Sequence, residues 1–195
     1  MRITKAPEVR RAELIAAARE LFDKNGIENT QVSQIVKKVG VAQGLFYYYF
    51  RSKEDVVNQV IQIVMGEINE QAEEIVQSSE KSFIEKLNSY IRLYLDLIDQ
   101  FSGDSEKDLH SMLDIIGQNP IAKQAHQLMV EKLKKLMRQG RQQDHIPLQY
   151  PEAMAEMTLY GLLQLSKLSL MKRAQLSVMI QQALGLPDNS IKIED

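Results

Sequence analysis

An all-α fold in two helical domains is predicted by three observations. Apolar residues recur at three- and four-residue spacing along almost the whole chain, and no segment alternates convincingly as a strand would. Glycines and prolines fall where helices should end or begin: Gly26, Gly40 and Gly185 after such stripes, Pro120 and Pro151 at the head of others. A chain of 195 residues with 44% hydrophobic content can also bury a substantial core in one or two domains.

Taken in order, Leu14, Ile15, Ala18, Leu21 and Phe22 stripe a first helix from about Glu8 to Asn25, ended by Gly26. Ile35, Val36 and Val39 stripe a second, with Thr30 and Ser33 as capping chemistry at its start and Gly40 as its stop. A third runs from about Gln43 to Phe50. Two helices hinged at a glycine bury too little to stand alone, so the first must close a three-helix core against Ile35, Phe46 and Phe50. From Lys53 one apolar face continues through Val56, Val57, Val60, Ile61, Val64, Ile68, Ala72 and Ile75 with no linker. Further helices are expected near residues 80–101, 106–118, 120–141, 151–172 and 175–184. The domains are therefore 1–53, with a helix-turn-helix at about 31–50, and 54–185, with 186–195 as a loosely ordered polar tail.

At about 100° per residue the third helix separates into two arcs. Phe46, Tyr49 and Phe50 fall on one side. Gln43, Gly44, Tyr47 and Tyr48 fall on the other, a face of amide, bare backbone and phenol hydroxyls suited to a DNA groove. Glutamine can pair with adenine, tyrosine hydroxyls bond phosphate oxygens, and glycine lets the backbone approach the sugar-phosphate ridge. Lys53, opening the next helix, places a cation beside free amides where a phosphate would sit. The candidate DNA-binding residues are Thr30, Gln31, Ser33, Gln43, Gly44, Leu45, Tyr47, Tyr48 and Lys53. Gln43, Gly44 and Leu45 are assigned to bases, and Tyr47, Tyr48 and Lys53 to the backbone.

The run from Ala18, Leu21, Phe22 and Gly26, through Thr30, Ile35, Gly40 and Val41, to Gly44, Tyr47, Phe50, Ser52 and Lys53 resembles the N-terminal domain of TetR-family transcriptional regulators. The resemblance covers about residues 8–60. It implies an N-terminal three-helix DNA-binding domain, a C-terminal helical ligand-binding and dimerisation domain, and repression relieved by a small molecule. Two departures stand out. Ala42 and Leu45 occupy places where the family commonly carries hydroxyl residues, so two usual contacts to the operator are missing.

The resemblance further implies that the last two helices pack against their copies in a second subunit, which assigns Tyr160, Gly161, Leu165, Leu168, Leu176, Met179 and Ile180 to a dimer interface. Apolar stripes there would equally suit an internal core. A physical argument favours the dimer: two recognition helices on a twofold axis reach successive major grooves ~34–36 Å apart and so read a palindromic operator.

Composition agrees with a DNA partner. The formal charge is −2, yet residues 1–55 hold 10 Lys+Arg against 7 Asp+Glu and the remainder 14 against 19. Lys5, Arg10, Arg11, Lys37, Lys38, Arg51 and Lys53 are the cations placed to meet phosphates. Without cysteine, disulfides, thiolate metal sites and cysteine nucleophiles are excluded. His110, His126 and His145 are 16 and 19 positions apart, which matches no helical metal site, and no phosphate loop or nucleophile elbow is present. No metal, cofactor or catalytic constellation is expected. The N-terminus lacks a signal-type apolar core and no apolar run reaches the ~18 residues of a membrane span, so a cytoplasmic protein is expected.

For the effector pocket, Phe83, Leu87, Tyr90, Tyr94, Leu97 and Phe101 share one broad helical face, and Tyr90, Tyr94, His110, Met112, Met129 and Met157 are the candidate lining. An ordinary core would present the same residue types. Two rival readings are a DNA-binding factor controlled by a protein partner and a helical enzyme or ligand carrier.

Overall fold

The computed structural model describes residues 6–102, 120–167 and 172–193. Among them every regular element is helical: α1 Pro7–Asn25, α2 Val32–Val39, α3 Gln43–Tyr49, α4 Lys53–Gln77, α5 Phe83–Ser102, α6 Pro120–Gln143, α7 Pro151–Lys167 and α8 Arg173–Ala183. The helix expected at 106–118 lies outside the described residues. The chain divides into two compact units, Met1–Met65 and Gly66–Asp195. That division falls inside α4, beyond the 53/54 boundary expected from the motif, because α4 contributes Val56, Val60, Ile61 and Val64 to the first core.

In the first unit, Pro7 opens α1, and Leu14, Ile15, Ala17, Ala18 and Phe22 are its buried face. Gly26, at φ +79°, turns the chain away while its N–H still bonds the Phe22 carbonyl at 2.8 Å. Cap residues differ from the expectation at α2. Thr30 is wholly buried, its hydroxyl 2.8 Å from the Gly26 carbonyl and 3.2 Å from that of Leu21, so it pins the turn to the end of α1. Gln31 is the cap instead, and its N–H donates to Gln34 Oε1 at 2.7 Å. At the other end Gly40 adopts the left-handed conformation, φ +74°. The Gly40 and Val41 amides reach back to the Lys37 and Val36 carbonyls at 3.2 and 3.0 Å, the double bond of a Schellman ending. Phe46 and Phe50 of the α3 segment are buried with ring centroids 5.2 Å apart. Ser52 and Asp55 cap α4, the Ser52 hydroxyl accepting from the Asp55 amide and the Asp55 carboxylate from the Arg51 amide.

In the second unit, Ser82 and Glu85 make a capping box at the head of α5: Glu85 accepts from the Ser82 amide at 2.8 Å, and the Ser82 hydroxyl accepts from the Glu85 amide at 3.4 Å. The α5 stripe is buried as its spacing predicts, through Phe83, Leu87, Tyr90, Ile91, Tyr94, Leu97 and Ile98. Its partner is α6, antiparallel to it, with Phe83 near Gly140, Tyr90 bonded to the Met129 carbonyl and Tyr94 beside His126. Glu73 of α4 pairs with Lys132 and Lys135 of α6, and these hydrogen bonds hold its carboxyl at about 2, far below the usual carboxylate range. Helix α7 adds Ala155, Leu159, Leu162 and Leu163 to this core, and α8 adds Leu176 and Ile180.

Gly140 is required by a close approach, since a Cβ there would lie 2.3 Å from Cδ2 and 2.8 Å from Cγ of buried Phe83. Alanine would gain up to ~1 kcal/mol of helix propensity, whereas overpacking a core costs ~1–3 kcal/mol. The clash meets the root of the ring, which cannot swing aside alone. Gly140→Ala is therefore expected to lower the melting temperature measured by circular dichroism, and a higher one would show that Phe83 reseats freely.

The C-terminal segment is not loose over its described part. Leu186, Ile191 and Ile193 are buried, and the Asn88 side chain of α5 brackets the strand-like run by donating to the Ser190 carbonyl at 2.8 Å and accepting from the Lys192 amide at 2.7 Å. The Ile193 amide donates to Ser177 of α8 at 3.2 Å. Polar composition concealed two isoleucines at alternate positions, the spacing that puts both on one side of an extended chain.

Candidate nucleic-acid interface

Helix α3 is oriented by its two phenylalanines. With Phe46 wholly buried and Phe50 1% exposed, the opposite arc must face outward: Tyr47 is 53% exposed, Tyr48 75%, and Gln43 and Gly44 are also at the surface. A Cβ built at Gly44 meets nothing within 4 Å, so its backbone is open to an approaching ridge. The phenols are propped, since the Tyr47 ring stands edge-on to Phe46 at 5.4 Å and that of Tyr48 edge-on to Tyr49 at 4.9 Å. Propping reduces the rotamer freedom that a contact must otherwise freeze. Leu45 is half-buried.

Around this face, Gln31 and Ser33 are exposed at the start of α2, with the Ser33 hydroxyl 3.4 Å from Gln31 Oε1. Thr30 does not join them. Its hydroxyl is spent inside the fold, which removes it from the set of side chains able to touch DNA. Lys53 is half-buried and donates to the Glu28 carbonyl at 3.3 Å, which holds the ammonium near the turn before α2.

The expected cations divide. Lys37 and Arg51 are exposed. Lys38 is paired with Glu20 at 2.7 Å, and Arg10 with Glu13 at 2.7 Å. Arg11 points inward, its guanidinium 5.2 Å from the Phe50 ring centroid and bonded to Gln59 at 2.9 Å, so it braces α3 where a phosphate contact was expected. Lys5 lies outside the described residues.

In the second unit, three of the six candidate pocket residues meet: Tyr90, Tyr94 and Met129 are buried together, and the Tyr90 hydroxyl donates to the Met129 carbonyl at 2.6 Å. Burial drives both phenols well above the ordinary tyrosine range, so both keep their protons. Met157 does not belong with them. It is 64% exposed, one turn from half-exposed Tyr160 on the outer side of α7. His110 and Met112 lie outside the described residues. A residue missed at the sequence level, His126, is buried against Tyr94 instead; the two are 32 positions apart, so no local spacing announces the pair.

The candidate dimer residues also separate. Tyr160 and Met179 are exposed, as are Met157 and Val178, and Gly161 has open space where a Cβ would stand. Leu176 and Ile180 are buried within the subunit, Leu165 is half-buried, and Leu168 is outside the described residues. Leu176 and Ile180 therefore hold α8 to its own core, and the outward residues Val178 and Met179 flank them. Among the described residues no cluster of three metal-ligating side chains occurs, and no helix is long and apolar enough to cross a membrane.

The family model for bacterial regulatory proteins of the tetR family matches residues 14–60, from the buried stripe of α1 to the first turns of α4. The fatty acid metabolism regulator protein of Bacillus subtilis is 33% identical over 103 residues, covering 53% of this chain and 51% of that protein. The chain thus spans about half the length of that curated relative. Among solved structures, the fatty acid degradation regulator FadR from Bacillus halodurans superposes with a TM-score of 0.64 at 20% identity, covering 93% of this chain and 95% of that one. RolR, solved in complex with the ligand resorcinol, superposes with a TM-score of 0.58 at 15% identity, covering 92% and 87%. At these identities the two structures share the fold. Residues 14–60 thus match the tetR-family model of bacterial regulatory proteins, and the described remainder shares its helical fold with these solved regulators.

Proposed function

We propose that this protein is a homodimeric transcriptional repressor that binds a palindromic operator through α3 and releases it when a small molecule enters the second unit. The observation that carries the reading is the outward arc of Gln43, Gly44, Tyr47 and Tyr48, set by buried Phe46 and Phe50 inside the family-matched segment. Gln31, Ser33, Leu45 and Lys53 complete the surface, with Gln43, Gly44 and Leu45 toward bases and Tyr47, Tyr48 and Lys53 toward phosphates. Relatives named as regulators favour this over an enzyme or a carrier. The exposed apolar residues Met157, Tyr160, Val178 and Met179 supply the subunit contact, which sets two α3 helices one groove repeat apart.

Release needs an effector that binds the operator-free conformation more tightly than the operator-bound one. Helix α4, Lys53–Gln77, has residues in both units, and it is the element through which we infer that release acts. Fatty acids and phenols are the first classes to try, given the relatives' names. Selecting random duplexes on the purified protein is expected to recover an inverted repeat that a compound from such a panel displaces. Failure to enrich any sequence at low salt would refute the regulator reading, and equal effector affinity for free protein and complex would refute the release mechanism.

A further inference from the structure

Three side chains of the second unit meet at a point where the hydrogen bonding does not close. The Tyr94 hydroxyl lies 3.0 Å from Nδ1 of His126, and the Tyr160 ring stands edge-on to the imidazole with centroids 4.6 Å apart. His126 is 5% exposed, yet its Nε2 is buried with no hydrogen-bond partner among the described residues. Burial favours the neutral ring, which carries a single N–H. Its place follows from Tyr94. That phenol is buried, keeps its proton and has Nδ1 in reach, so it donates, Nδ1 accepts, and the imidazole proton sits on Nε2.

The result is an oriented N–H donor on α6 with no acceptor among the described residues, one turn from buried Met129 and Val130. A core is better served there by leucine, which would leave no donor unpaired, so the group calls for an explanation. Tyr160, whose ring stands against the imidazole, is half-exposed in the single subunit.

We propose that Nε2–H of His126 anchors the effector, a small molecule with an apolar body and an oxygen acceptor, a carbonyl or carboxylate, at one end. The proposal rests on reading the second unit as the effector-binding one, and it names the chemistry that unit selects. Tyr94 is a positioning residue, because its hydroxyl holds the tautomer that presents the donor.

The test uses the full chain labelled with nitrogen-15 in histidine, His126 being assigned by its loss in His126→Phe. It is titrated with phenyl alkyl ketones of increasing length, with alkylbenzenes of the same lengths, and with ω-phenylalkanoates. Ketones or carboxylates are expected to shift the Nε2 resonance and to bind at least ~10-fold more tightly than the matched hydrocarbons, a preference removed by His126→Phe and weakened by Tyr94→Phe. If His126→Phe does not fold, the wild-type resonance and Tyr94→Phe still decide the matter. An Nε2 that answers no member of the series, that is occupied by a bound water throughout, or whose preference for ketones survives in His126→Phe overturns the proposal. Operator selection is independent of all these results, so a silent His126 with an enriched duplex sinks the anchor and leaves the regulator standing.

Discussion

Phe50→Ala is expected to cost the first unit ~3–5 kcal/mol, the usual range for deleting a buried aromatic ring. Phe50 is 1% exposed, stacks at a tilt on Phe46 and carries the Arg11 guanidinium on its ring, so α3 and α1 lose contact at once. Small domains have only ~5–15 kcal/mol in hand, which makes a loss of this size enough to loosen or unfold the helix-turn-helix. Urea unfolding followed by circular dichroism should show the first unit melting early. Tyr47→Ala, three residues away, should shift that transition by less than ~0.5 kcal/mol, as surface substitutions do. A reversed ranking would mean that α3 is rotated from the orientation described.

The second large effect is expected from removing residues 187–195. Ile191 and Ile193 are each about 4% exposed, and burying such a side chain is worth ~1.5–3 kcal/mol. Truncation also strips the Asn88 amide of both its partners in the run and takes the Ile193 amide from the Ser177 hydroxyl. A loss of ~3–6 kcal/mol is expected from the two side chains, seen as a fall in melting temperature of roughly 10 °C or more for a unit of this size. Because Ser177 and Gln181 sit on α8, the same truncation should weaken self-association in sedimentation experiments. An unchanged melting temperature would show that the segment lies on the surface without holding anything.

What could be read from the residues alone follows physical lines. Stripes are self-announcing: Leu14, Ile15, Ala18 and Phe22, or Phe83, Leu87, Tyr90 and Tyr94, fall on one face by spacing alone and are buried on it. Gly26 and Gly40 stop helices because both take positive φ, which the sequence states directly. Amphiphilic residues are harder, since their environment is chosen by partners distant in the chain. Thr30 can cap a helix or bond carbonyls behind it, and the carbonyls of Leu21 and Gly26 decide. Arg11 can meet a phosphate or a ring, and Phe50, far along the chain, takes it. Met157 fits a pocket or an outer face equally well, and nothing in its neighbours distinguishes them. His126 is the clearest case, because its role depends on Tyr94 and Tyr160 from two other helices.

Whether the phenol-bearing side of α3 holds DNA is decided by the affinity of Tyr47→Ala/Tyr48→Ala for the selected duplex. Each hydroxyl bond to a phosphate is a bond to a charged group, worth ~1.5–3 kcal/mol. The double variant should therefore bind at least ~100-fold more weakly at the same ionic strength, with an unaltered melting temperature and dimer. Unchanged affinity in a folded, dimeric variant would mean that DNA is held by another face of the protein.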